Sequence, residues 1–80
     1  MSKILDFLKT VPEIELEQVY IDFNKMEETG ILKEDSDGRI LFNKIAKYLN
    51  KDFEGSNFFI NSIIIHLKIA QELLRRWEGI

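Results

Sequence analysis

Eighty residues with 14 acidic and 11 basic side chains, a formal charge of −3 and no cysteine make one small domain without disulfides, thiolate chemistry or a cysteine-based metal site. The acidic balance argues against a protein that lives on nucleic acid, and 45% hydrophobic content with six Phe and one Trp is too rich in core formers for a disordered chain. Lys3, Asp6 and Lys9 interrupt the apolar patch near the start, which does not fit a signal peptide, and no apolar run reaches the roughly 18 residues of a membrane span. The expectation is therefore a cytoplasmic protein with no membrane segment. A chain this short buries only about 60% of its unfolded surface, so it depends on a dense core or on a partner. Charge is unevenly shared, with ten acids against five bases over residues 1–40 and four against six over 41–80.

Ser2 is placed to cap a short first helix from Lys3 to Lys9, with Ile4, Leu5 and Leu8 on one side. Thr10-Val11-Pro12 ends it, because the residue before proline is pushed out of the α region. Pro12 suits the first position of a second helix, and Glu13, Glu15 and Glu17 suit its positive end. Leu16, Val19, Tyr20, Phe23 and Met26 follow the helical template as far as Thr29, and Gly30 is placed to close it.

Residues 31–40 form the least helical stretch. Glu34-Asp35-Ser36-Asp37-Gly38 has turn chemistry between the apolar pairs Ile31-Leu32 and Ile40-Leu41, which allows either a minimal two-stranded hairpin or a plain loop. A third helix is expected from Leu41 to Lys51, with Phe42, Ile45, Ala46 and Leu49 inward and Phe53 just beyond. Glu54-Gly55-Ser56 breaks the chain, and Ser56 or Asn57 can cap a long last helix that runs to Trp77. Stepping by about 100° per residue, Phe59, Ile60, Ile63, Ile64, Leu67, Ala70, Leu73, Leu74 and Trp77 fall in one broad apolar arc. Such an arc can touch two or three neighbouring helices, so the last helix is expected at the centre of the bundle. The predicted fold is all-α: a compact four-helix bundle with a long central C-terminal helix.

No constellation supports catalysis. The turn places Asp35, Asp37, Gly38 and Ile40 at positions 3, 5, 6 and 8 of an EF-hand loop, but Lys33 and Lys44 stand where the first and last carboxylates belong. An acidic surface turn without calcium is expected. His66, the one histidine, lies within the apolar arc and has no acid at the helical i±3 or i±4 positions, so it reads as a boundary histidine satisfied by hydrogen bonding. No phosphate loop and no nucleophile with a visible base is present. Neither an enzyme, a cofactor nor a metal is expected.

Two surfaces invite a binding reading. Asn43, Lys44, Lys47, Asn50 and Lys51 make a basic, amide-bearing face on the third helix, the composition of a DNA-recognition helix, although that helix has no Arg. Phe58, Ile65 and Ile69 lie about 200–240° from Ile63 on the last helix, outside the arc and beside Asn61 and Lys68. They are expected either under the first helix or as a second apolar stripe that meets a protein partner or another copy, extended by Arg75, Arg76 and Trp77. The leading expectation is a non-enzymatic interaction or regulatory module using Phe58, Ile65, Ile69, Arg76 and Trp77. The alternative is a small DNA-binding regulator using the Lys/Asn face.

Val19-Tyr20, Gly30-Ile31 and the segment Phe42-Asn43-Lys44-Ile45-Ala46-Lys47-Tyr48-Leu49-Asn50-Lys51-Asp52-Phe53 resemble the C-terminal region of RteC-like proteins, regulators associated with mobile elements of Bacteroides-type bacteria. The likeness spans Val19 to Phe53 and rests mainly on apolar spacing. It implies a regulatory, DNA-associated role. The basic segment that follows in that family is replaced here by Phe58-Phe59-Ile60-Asn61.

Overall fold

The computed structural model describes residues 3–53, 55 and 57–79. Four helices account for the architecture: α1 (Lys3–Leu8), α2 (Glu13–Thr29), α3 (Asp37–Leu49) and α4 (Asn57–Glu78), with no strand among the described residues. The expected capping serines, Ser2 and Ser56, lie outside the described residues. Both α1 and α2 pack against α3 and against α4, so the domain is an all-α four-helix bundle.

The helix ends follow local chemistry. Gly30 closes α2 in the left-handed conformation at φ 75° and donates its N–H to Met26 O at 2.7 Å. Neither a hairpin nor a plain loop occupies residues 37–40. Residues 31–36 form the plain loop that is one of the two expectations, with Leu32 buried, and α3 begins at Asp37 within the acidic turn, four residues earlier than expected. Ser36 supplies the cap, its hydroxyl accepting from Arg39 N at 3.1 Å, and Asp22 on α2 accepts from Gly38 N at 2.9 Å. A β-carbon on Gly38 would fall 2.8 Å from Asp22 Cβ, so glycine is what lets α3 begin this close to α2. At the other end α3 stops at Leu49, and Asn50 takes the left-handed conformation at φ 55°.

The core is built from Leu8, Val11, Leu16, Val19, Phe23, Met26, Leu32, Leu41, Phe42, Ile45 and Phe53, joined by Ile65, Ile69 and Leu73 of α4. Phe42 meets Phe53 and Phe58 at ring-centroid distances of 5.4 and 5.1 Å, which ties α3 to the beginning of α4. Of the arc expected inward on α4, Leu73 is buried and Ala70 half-buried, but for the rest the expected burial is reversed. Ile65 and Ile69 are fully buried and Phe58 is half-buried, whereas Phe59, Ile60, Ile63, Ile64, Leu67, Leu74 and Trp77 of the broad arc are exposed. With extents of 39 × 27 × 19 Å, the bundle is about two helix diameters deep along its short axis. Each helix therefore keeps one side on solvent.

The inner face of α4 also holds charge. Glu72 is 1% exposed and receives Arg75 in a two-point contact, Nε to Oε1 at 2.9 Å and Nη2 to Oε2 at 2.7 Å. Arg76 donates Nε to Oε2 at 2.7 Å and Nη2 to the carbonyls of Leu8 and Val11 at 3.0 and 2.7 Å. One guanidinium thus satisfies backbone carbonyls at the end of α1 while neutralising a buried acid on α4. The hydrogen bonds from Arg75 hold the Glu72 carboxyl at about 2, well below its ordinary 4.5, aided by the Arg76 hydrogen bond and both positive charges and opposed by burial.

Because Glu72 is depressed in the folded chain, its contribution to stability is complete above pH 4.5 and is lost as pH falls toward about 2. Acid titration followed by circular dichroism should show this loss, and Glu72→Gln should remove that component of the profile. Arg76→Ala leaves Glu72 with Arg75 as its one remaining cation and removes the side-chain donor from the carbonyls of Leu8 and Val11, of which Leu8 keeps only the Val11 N–H. It should lower the unfolding free energy by about 3 kcal/mol in urea denaturation.

Candidate functional site

The exposed side of α4 gathers more apolar surface than any other part of the molecule described. Phe59, Ile60, Ile63, Ile64, Leu67, Leu74 and Trp77 are each 39–62% exposed. Seven half-open large side chains on one side of a helix leave several hundred Å² of surface open, the scale at which an apolar patch marks an interaction site. Scattered apolar residues on a surface need no explanation, but a continuous row along a 22-residue helix does.

The row has a specific spacing. Ile60, Ile63, Leu67, Ala70, Leu74 and Trp77 recur at alternating steps of three and four residues, the a/d repeat that lays one helix along another. Phe59 and Ile64 widen the row on either side. The buried residues Ser62, Ile65, Ile69 and Glu72 and the half-buried Phe58 occupy the opposite side of the same helix. Thus α4 is apolar on two sides, and the domain uses the narrower one.

Where α2 runs beside α4, two shallow hollows of about 300 and 140 Å³ border the row. Tyr20 and Ala70 line both, the first continuing to Ile63, His66 and Leu67 and the second to Leu74 and Trp77. His66 closes the α2 side. Its Nδ1 is 3.1 Å from Glu27 Oε1 and its Nε2 2.8 Å from Asn24 Oδ1, and the ring stacks on Phe23 at 5.8 Å. This is the hydrogen-bonded boundary histidine expected from its place on the helix, with partners that only the tertiary fold supplies. Both ring nitrogens thus lie within hydrogen-bond distance of side chains on α2.

A larger hollow of about 470 Å³ lies at the corner between α2 and the start of α3, lined in part by Lys25, Ile31 and Lys33. Its carboxylate, Asp22, is engaged with the Gly38 amide. Among the described residues no three His, Cys, Asp or Glu side chains are grouped to hold a metal ion, and no helix is long and apolar enough to cross a membrane.

The sequence-based partner residues divide. Ile65 and Ile69 have no exposed surface and Phe58 packs on Phe42, so these three belong to the monomer core and cannot form a docking stripe. Arg76 is drawn inward to Glu72 and α1. Trp77 alone of the five faces outward, and it belongs to the opposite row. On the alternative surface, Asn43, Lys44, Lys47, Asn50 and Lys51 are all exposed, but α3 ends before Asn50, so only Asn43, Lys44 and Lys47 share a helical face. No family model, curated protein or solved structure matches the chain.

Substitutions separate the two sides of α4. At high dilution, Ile63→Asp and Leu67→Glu should change the unfolding free energy by no more than about 0.5 kcal/mol, as exposed sites do. Ile65→Ala and Ile69→Ala should each cost about 2–5 kcal/mol by leaving a cavity. Parallel urea denaturation of the four variants measures both.

Proposed function

We propose that the protein is a non-enzymatic interaction module that docks an apolar α-helix onto the outer face of α4. The a/d spacing from Ile60 to Trp77 carries this reading, because that repeat fits the surface of another helix better than a flat or extended partner. The area left open supports it, being of the order that one side of a standard interface contributes. The helix is already folded before it meets a partner, so docking does not bear the ordering cost of an isolated coiled-coil strand. Trp77 and Phe59 at the two ends of the row are residue types that anchor interfaces.

Trp77 is the one tryptophan and reports on the row directly. Its fluorescence should shift to the blue, and the scattering mass rise, when the face is covered by another molecule of the protein or by a designed amphipathic peptide with Ile/Leu at a and d. Leu67→Glu, with unchanged circular dichroism, should abolish both responses. A wild-type emission maximum that stays fixed with concentration and with the peptide overturns the reading.

A second reading, a small regulator that binds duplex DNA through Asn43, Lys44, Lys47, Asn50 and Lys51, has their common exposure in its favour. The resemblance to RteC-like regulators points the same way. It calls for salt-sensitive retention of duplex DNA that disappears when the three lysines become glutamine. No retention at low salt removes it.

A further inference from the structure

We infer that the helix received by the outer face of α4 is α4 of a second copy, paired antiparallel about a two-fold axis between Lys68 and Ile69. This rests on the docking reading above and names its occupant. The row is numerically symmetrical: turned end for end, Ile60 falls opposite Trp77, Ile63 opposite Leu74, and Leu67 opposite Ala70. Every a position meets a d position, so the same six side chains serve both surfaces, as a two-fold interface requires.

Volume decides the direction. A parallel pair would set Trp77 against Trp77 and Ala70 against Ala70, a clash of bulk in one layer and a void in another. The antiparallel pair sets the largest side chain against an isoleucine and the smallest against a leucine, which evens the layers as close packing demands. Phe59 and Ile64 then flank the seam at each end and enlarge the covered area. The several hundred Å² left open on each copy are of the order that a stable two-body interface takes from each partner, about 800 Å². No segment of the described chain covers this face, and a second copy supplies a matching one at equal concentration.

The absence of native cysteine makes the test direct. Ile63→Cys and Leu74→Cys, both at exposed positions, are prepared separately, checked by circular dichroism, mixed at high micromolar concentration and oxidised with copper phenanthroline. The antiparallel register predicts a covalent dimer in the mixture, at least tenfold more abundant than in either variant alone, and its loss when Leu67→Glu is added to both. In a parallel pair residues 63 and 74 would be about 16 Å apart along the axis, beyond disulfide reach. Homodimers of each variant alone with none enriched in the mixture overturn the antiparallel assignment. A monomer by light scattering at the same concentration overturns the second copy as occupant. In that case a Trp77 blue shift with the a/d peptide leaves the docking reading standing, whereas no shift removes it as well.

Discussion

The buried carboxylate of Glu72 is the constraint on which the arrangement of α4 depends. A charge with 1% exposure is tolerated only where donors surround it, and here two guanidinium groups do so from the next turn of the same helix. Arg76 then carries the consequence beyond α4, because its Nη2 is committed to the carbonyls of Leu8 and Val11. Rotating α4 by half a turn would expel Glu72 from its position and strip those carbonyls of their donor. The inward side of the helix is thereby tied to the chain direction at the end of α1, some 65 residues away in sequence.

This explains why the more apolar side of α4 is the one left outside. Burial alone favours the arc of Phe59, Ile60, Ile63, Ile64 and Leu67, which contains no charge, over a side that contains Ser62 and Glu72. The observed side needs compensation that area cannot give. Ser62 is satisfied by its own helix, donating to Phe59 O at 2.8 Å, and Glu72 by the arginines. The aromatic contacts of Phe58 with Phe42, under the guanidinium of Arg39 at 4.7 Å, fix the opposite end. Polar satisfaction and aromatic geometry, rather than total apolar content, select the orientation.

Much of the fold can be read from the chain because its punctuation is local. Pro12 and Gly30 mark the limits of α2 to within a residue, and the inward positions Leu16, Val19, Phe23 and Met26 follow from spacing alone. The start of α3 is less legible because serine, aspartate and glycine serve turns and helix caps equally well, and the deciding partner, Asp22, comes from another helix. The faces of α4 are misread for a deeper reason. Periodicity reports where apolar side chains lie, not what they touch, and a helix with two apolar sides leaves the choice to tertiary contacts. Phe58, Ile65 and Ile69 fall outside the arc and so mark a second side, but nothing in the spacing shows that Glu72 beside them is buried, because its arginine clamp is invisible without the fold. The three-four alternation from Ile60 to Trp77 is the spacing of helix-on-helix contact, shared by a core stripe and by a docking row, so only the observed exposure tells the two apart.

The two sides of α4 therefore divide different physical tasks. The inner side, with fixed ions and a cluster of rings, specifies one orientation at some cost in burial. The outer side, free of charge along its seam, can associate with little desolvation penalty and without disturbing the contacts that hold the monomer. Exchanging these roles would place Glu72 and the arginines on the contact surface, where each would have to be desolvated anew, and would hide the regular repeat inside a bundle whose neighbours, α1 and α2, do not run as one continuous helix beside it. A 19 Å-deep domain cannot enclose both sides of its longest helix. The side it encloses is the one that fixes geometry, and the side it leaves open is the one on which the docking proposal rests.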